Sequence, residues 1–480
     1  MSPPPAEDSP LALQEKIVLV VGATGLDRLL TVTAYPAADT KVRTTAYHEV
    51  GGGNAANTAT AIQLLAPSAF LQNDKRINVR TKLISKVGDD DIGKKVIEEL
   101  KAAQVNLTSP LFRIAKGTTT GFTSIIVSEL EQTRTCLHTP GTCGELMPQE
   151  LADVNMDDIF EHVVHLHSDA RHTDVALLLA REARRRGIPV SLDVEKDRST
   201  TALNSLLEVA TLVFTNSDQI EIYLTRLNRE NEEKQGRQHL KEPVVMAKRS
   251  NLMDKDMDLL AYALRPSTFF SRWFAQKEKQ VVITKGRLGA ISIHCTFVSR
   301  VQVEDDDSNG HGNNQVELSI DDDTGVVRVH QTFADKSALK NTTTRQVSAD
   351  YRIRRAGVLT NLNIIDTTGA GDAFIGGYIL TQLVPDISND FIQASLEFGC
   401  WVGGRKLEGP GARSALPKAK DVDTMLGIDA AEIERSLGEL LTPFGGQSTE
   451  TVSLGGSWES VSEREQLSNE AMIPGTVMLD

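Results

Sequence analysis

A run of apolar residues, Lys16–Val21 (KIVLVV), ends abruptly at Gly22, and runs of the same kind recur along the chain. An uninterrupted hydrophobic strand must be buried on both faces, which is the situation of a parallel sheet covered by helices. Further strands of this type are predicted at Val163–Leu166, Val190–Val194, Thr211–Phe214 and Val281–Thr284. Helical periodicity lies between them. Asp174–Arg186 has an acid at its start, arginines in its last turn and Gly187 after it, the charge order that suits a helix dipole. Strand and helix in alternation predict an α/β fold with a mainly parallel sheet.

Two stretches break the alternation. Tyr35–Val50 and Ile114–His138 are rich in Thr and Val without helical period, and predict antiparallel strands standing off the main sheet. Two insertions follow. One, about residues 226–280, is highly charged and expected to be helical in part. The other, about residues 304–355, carries Asp305–Asp307 and Asp321–Asp323 and is expected to form loops and irregular hairpins. Residues 1–15 (proline-rich and acidic) and 443–480 (rich in Gly, Ser, Thr and Glu) are expected to be disordered tails on a domain spanning 16–442.

The formal net charge of −14 argues against a general binder of nucleic acid or anionic membrane, because phosphates would be repelled at long range. No run approaches the roughly 18 apolar residues of a membrane span. Cys136, Cys143, Cys295 and Cys400 are too few and too scattered for a disulfide framework or zinc site, so reduced thiols and a cytoplasmic location are expected.

Four glycine-containing segments compete for a ligand. Gly22-Ala-Thr-Gly25 follows the first strand as a dinucleotide-binding turn would. However, Arg28 stands where a third small residue is needed, and LLTVTAYP continues as strand. Gly88-Asp-Asp-Asp-Ile-Gly93-Lys94-Lys95 approximates a phosphate-binding loop, with Lys95 where magnesium needs Ser or Thr and three aspartates facing the phosphates. It reads as an acidic turn before a helix.

The third segment, Asp366-Thr-Thr-Gly-Ala-Gly-Asp372, opens a helical pattern. Gly369, Ala370 and Gly371 lack bulk, so their amides and the helix dipole can receive a transferring phosphoryl group. Asp372 in the first turn can accept a proton from an attacking hydroxyl, or alternatively only pair with the dipole. In the fourth, Gly51-Gly52-Gly53-Asn54-Ala55-Ala56-Asn57, the two asparagines are three apart and share a helix face. They suit a polyhydroxy ligand or an ordinary N-cap.

Together these two last motifs resemble the signatures of the phosphofructokinase-B (ribokinase-like) carbohydrate kinases, over about Lys16 to Pro417. YPAADTKVR, TRTCLHTPG, SLDVEK and FGCWVGGRK resemble the ketohexokinase-like branch, and plant-type members are equally similar through TRTCLHTPG and DTTGAGDAFIGG. The resemblance implies a three-layer α/β sandwich with a mainly parallel sheet and a small β lid, about residues 28–50 and 112–138. It implies ATP-dependent phosphorylation of a primary hydroxyl of a small sugar, with Asp372 as base and the Gly369–Gly371 amides as anion hole. Asp27, Gly53, Asn54, Asn57 and Arg134 match the substrate-binding positions. Asn216, Thr284, Gly286, Gly289, Cys400 and Gly404 match the nucleotide side. Asp366 and Thr368 match positions that help bind a monovalent cation such as K+. The acid expected to organise Mg2+ is replaced by Gln219, with Asp218 nearby.

The alternatives are a nucleoside kinase on the same scaffold, or a sugar-sensing protein without turnover. The lid strands are expected to mediate a homodimer, against a monomer whose second insertion covers the lid. His165 and His167 share a strand face with no evident third metal ligand, Arg171 just past that strand is a candidate substrate contact, and Arg184–Arg186 reads as a solvated helix face.

Overall fold

The structure is a computed structural model. It describes residues 13–66, 70–72, 75–131, 133–195, 201–217, 245–247, 279–304, 315–321, 326–335, 343–383 and 390–425. Its centre is a run of parallel strands: β1 (Leu13–Val21), β5 (Lys75–Gly88), β9 (Val163–Ser168), β10 (Val190–Val194), β11 (Leu212–Asn216) and β13 (Gln280–Thr284). Their order is β5-β1-β9-β10-β11-β13. Val18 and Val20 face one layer while Leu19 and Val21 face the other, all at 0% exposure. That two-sided burial is why the first run has no polar alternation.

Helices cover both faces. On one side lie α3 (Met156–Phe160), α4 (Thr173–Arg185) and α5 (Thr201–Val209). On the other lie α1 (Asn54–Leu65), α2 (Asp91–Ala102), α6 (Ala370–Gln382), α7 (Phe391–Lys406) and α8 (Ala419–Met425). This is the expected three-layer α/β sandwich. The acidic turn at Gly88 does precede a helix: Asp90 caps α2 by accepting from Gly93 N at 3.0 Å.

A second, four-stranded sheet forms the lid, in the order β3 (Ala46–Gly52), β2 (Gly25–Val32), β7 (Phe122–Ser128) and β8 (Thr133–Thr139). The chain after Gly25 is therefore strand, which excludes the dinucleotide turn. Two lid boundaries differ from expectation. Phe112–Ala115 forms β6, which pairs in parallel with Ser85–Gly88 at the end of β5 and belongs to the main sheet. Residues 33–45 contain no strand.

The second insertion differs most. In place of loops and irregular hairpins it forms long regular antiparallel strands, β15 (Gln315–Asp321), β16 (Val326–Asp335) and β17 (Thr343–Ala356), and the strand leading into it is β14 (Ala290–Glu304). They extend the main sheet beyond β13, and β12 (Val245–Ala247) pairs in parallel with β15. The β-branched runs QVELSI and VVRVHQTF decide the backbone, while the aspartate clusters lie at or beyond strand ends. At the N-terminus, β1 begins at Leu13, inside the segment expected to be tail. Residues 1–12, all of the tail after 443 and most of the first insertion lie outside the described residues.

Candidate active site

The site lies where the parallel strands end, at their carboxyl edge, as in open α/β sheets generally. Two helix N-termini meet there. Helix α6 starts after Gly369, whose φ of 74° is left-handed and whose Cβ would sit 2.3 Å from Ala412 Cβ, so only glycine fits. Helix α1 starts after Gly53, with φ of 91° and Ala23 O 2.5 Å from the would-be Cβ. These turns aim Asp372 and Asn57 at each other: Asn57 Nδ2 donates to Asp372 Oδ2 at 2.8 Å, and both residues are buried. Open space lies beside Gly371, within reach of the first-turn amides.

Around Asp372 stand acids from three strands. Asp27 lies near the start of β2, Asp169 follows β9, and Asp193 and Glu195 lie at and just beyond the end of β10. Burial first, then the Glu195 carboxylate, hold Asp372 well above the usual carboxylate range, and the Asn57 N–H opposes them. Burial and Glu195 raise Asp193 likewise. Asp27 is pushed up to about 6, mainly by burial, against the pull of the Arg413 guanidinium. Oxygen atoms of Asp193, Glu195 and Asp372 lie within 4.8 Å of one another. Three carboxylates at that spacing repel. The all-oxygen donor set suits a hard divalent cation such as Mg2+.

Asp27 sits where Gly52 leaves room, since a Cβ there would lie 2.5 Å from its carboxylate. Asn54 donates to Glu195 Oε2 at 2.6 Å, so it orients that acid in this structure. Arg134 on β8 donates through Nη1 to Thr367 Oγ1, tying the lid to the loop before Gly369. A cleft of about 60 Å³, lined by Ala23, Asn54, Asp169, Arg171, Asp193 and Glu195 among others, opens beside these groups.

The expected K+ pair is otherwise engaged. Asp366 Oδ1 accepts from Thr368 N at 2.9 Å and Thr368 Oγ1 at 2.8 Å, and Oδ2 accepts from Gly411 N at 2.7 Å. The Lys406 ammonium, fully buried, donates to Asp366 O at 2.8 Å and Gly409 O at 3.4 Å. A positive charge of the chain's own thus already lies on this loop. The two residues do not present the donor set expected for a monovalent cation.

Of the residues expected to bind nucleotide, Asn216 and Thr284 are register partners at the ends of β11 and β13. Gly286 and Gly289, with φ of 55° and 83°, form the turn into β14. A Cβ on Gly289 would lie 2.0 Å from Ala356 O. Cys400 Sγ lies 4.0 Å from the same carbonyl, and its thiol is pushed up to about 12 by burial. Gly404 faces Leu359 one turn on. These groups therefore gather at one edge. Asp218 and Gln219 lie outside the described residues.

His165 Nε2 and His167 Nδ1 both bond Ser191 Oγ, at 2.8 and 2.9 Å, and burial pushes them down to about 4 and about 3. They form a buried polar knot within the sheet. The Arg184–Arg186 reading holds in part: Arg185 pairs with Glu182 at the surface, but Arg186 also stacks over Phe160 at 5.1 Å.

Sequence reasoning missed Asp169, Asp193, Glu195, Lys406 and Arg413 as site residues. Asp169 organises the turn after β1: its Oδ2 accepts from Ala23 N at 2.9 Å and Ala55 N at 3.1 Å, and a Cβ on Gly22 would meet its Oδ1 at 1.9 Å. A signal did exist. Acids directly after buried parallel strands, as in SDA and LDVEK, fall at the carboxyl edge by construction.

A profile of the pfkB family carbohydrate kinases matches residues 15–249 and 350–419, and the gap between them takes in β13 and most of the extra antiparallel strands. An ATP-dependent ribose-1-phosphate kinase of Halopiger xanaduensis is 27% identical over 207 residues, which are 43% of this chain and 64% of that relative. Among solved structures, Arabidopsis thaliana ribokinase complexed with ribose and ATP aligns at a TM-score of 0.54 and 16% identity, over 87% of this chain and 100% of that one. A nucleoside kinase of Methanocaldococcus jannaschii aligns at 0.51 and 17%, over 86% and 99%. Since the family profile covers more than half of the chain, with both glycine–asparagine and glycine–aspartate motifs inside it, this protein belongs to the pfkB family of carbohydrate kinases.

Proposed function

We propose that the chain transfers the γ-phosphoryl group of ATP to a primary hydroxyl of a small sugar. The observation that carries this is the buried Asp372 carboxylate in the first turn of α6, beside small-residue amides and held by Asn57. In this reading the substrate lies under the lid, with its hydroxyls against Asp27, Asn54 and Asn57. Asp372 accepts the hydroxyl proton as the oxygen bonds to phosphorus, and the bond from the γ-phosphorus to ADP breaks in line. The amides of Gly369, Ala370 and Gly371 receive the charge of the transferring group. A carboxylate of raised pKa is the stronger proton acceptor once ionised.

Asp193 and Glu195 are the groups fitted to hold Mg2+, which when bound neutralises charge on the phosphates. ATP would lie over the edge formed by Asn216, Thr284, Gly286, Gly289, Cys400 and Gly404. Arg134 would bring the lid down and exclude water, suppressing ATP hydrolysis.

The strand β8 is exposed along its length. A second copy pairing through the lids would cover it, and light scattering at micromolar concentration tests that dimer. The similarity to ribose-1-phosphate kinase and nucleoside kinase makes sugar phosphates and nucleosides the other acceptors to try. ADP release with each acceptor tests the reading: stimulation by a sugar supports it, stimulation by nucleosides alone replaces the substrate class, and no stimulation by any acceptor contradicts kinase activity.

A further inference from the structure

Arg413 lies beyond α7, in a loop that carries none of the groups assigned above to substrate or nucleotide. Its side chain is 9% exposed. Its Nε donates to Asn57 Oδ1 at 2.9 Å, and Nη2 donates to Gly52 O at 3.0 Å. Its Nη1 lies 3.9 Å from Glu99 Oε2, which accepts from Gly51 N at 2.6 Å. One cation therefore touches the end of lid strand β3, helix α2 and the asparagine that bonds Asp372.

The chemistry of a carboxamide makes this arrangement specific. The two ends of the Asn57 side chain differ: oxygen only accepts and nitrogen only donates. An arginine can only donate. With Nε directed at Oδ1, the amide has one orientation, and Nδ2 must face Asp372. Were the amide turned over, Oδ1 would face a carboxylate and Nδ2 a guanidinium, two mismatches in a buried place.

We infer that Arg413 is a positioning residue for phosphoryl transfer, setting the Asn57 amide so that it donates to Asp372 and keeps that carboxylate aimed. This rests on the assignment of Asp372 as base. The charged or polar groups facing Asp372 are Asp27 from β2, Asn57 from α1, Asp169 after β9, Asp193 and Glu195 from β10 and its end, and Lys406 from α7. Loss of Arg413 frees the amide to turn, so that Oδ1 can face the Asp372 carboxylate and the bond that aims it is lost.

The test is a cycle on the full chain with Asn57→Ala, Arg413→Met and the double variant, with Arg413→Lys as the conservative change. Two readouts are taken: ADP release with the best acceptor, and the 15N–1H signals of the Asn57 side-chain amide, assigned by their loss in Asn57→Ala. Arg413→Met is expected to lower kcat about 10- to 100-fold with KM for ATP within about twofold, and to shift or broaden the Asn57 amide signals. In the Asn57→Ala background the same change should cost no more than about twofold in kcat. Arg413→Lys should recover part of both effects. Independent losses that multiply in the double variant, or Asn57 amide signals unmoved by Arg413→Met, would overturn the inference. The amide signals decide even if no acceptor supports turnover, an outcome that sinks the kinase reading alone. Should Arg413→Met fail to fold, Arg413→Lys decides: unchanged Asn57 amide signals and full kcat with Nε lost would show that Asn57 needs no such partner.

Discussion

Asn57 Nδ2 donates to Asp372 Oδ2 across 2.8 Å, although the two residues are 315 positions apart in the chain. The bond joins the N-termini of α1 and α6, the two helices opened by the glycine motifs. Each motif alone had a bland reading, as an N-cap or as a dipole partner. Together they bring a buried carboxylate, the small-residue amides of a helix N-terminus and two asparagine side chains to one sheet edge, the groups that the proposed phosphoryl transfer needs.

Asp372→Asn should lower kcat at least about 10²-fold while KM for ATP changes little, because the amide keeps the shape and loses the proton acceptor. Steady-state ADP release at saturating ATP measures it. Retention of a tenth or more of the rate would take Asp372 out of the base role.

Asp27 makes stability depend on pH, and in the proposed function it also binds substrate. Its pKa is raised from 3.8 to about 6, chiefly by burial, so the folded state holds the proton more tightly than the unfolded chain does. Its contribution therefore lowers stability as pH rises from about 4 to about 6, with the full cost reached above. Asp27→Asn should remove that slope, gaining on the order of 3 kcal/mol at pH 8 relative to pH 4 when compared with the wild type by urea unfolding. The same variant should raise KM for the sugar more than KM for ATP. Parallel stability curves for the two proteins would show that Asp27 is not held in its protonated form by the fold.

Gly289→Val should act on the nucleotide side. At φ of 83°, with Ala356 O 2.0 Å from the would-be Cβ, any side chain strains the turn and pushes on β17. We expect a melting temperature lower by about 3 °C or more, and KM for ATP raised more than KM for the sugar. An unchanged KM for ATP would move the nucleotide away from this edge.

Lys406→Met should loosen the loop before Gly369. It leaves Asp366 O and Gly409 O without their buried donor, at about 1–3 kcal/mol. The expected result is a lower melting temperature together with kcat reduced about tenfold or more. A thermal effect without a change in kcat would confine Lys406 to a structural role.

The parts of this architecture that depend on local pattern were legible in the sequence. KIVLVV had to be a buried strand, DTTGAGD had to open a helix, and LLTVTAYP could not follow a dinucleotide turn with a helix. The β-branched alternation of the second insertion was also there to read, but its aspartate clusters suggested loops while the flanking residues governed the backbone. What could not be read is what the fold brings together over long distances. Arg413 sits in a loop with no motif, and its partners Asn57 and Gly52 are some 360 residues away. Lys406 looks in sequence like an ordinary basic last turn of a helix. Only closure of the main sheet and its helices turns it into a buried cation beside Asp366.

Acceptor-dependent phosphoryl transfer with Asp372 as the base is the central claim to test. The direct measurement is ADP release from MgATP by the full chain with a panel of pentoses, hexoses, sugar phosphates and nucleosides, run beside Asp372→Asn. The prediction is that at least one sugar raises ADP release well above the rate with ATP alone, and that the substitution abolishes this increment. Contradiction would be a panel in which no sugar stimulates the wild type, or one in which Asp372→Asn is stimulated as strongly.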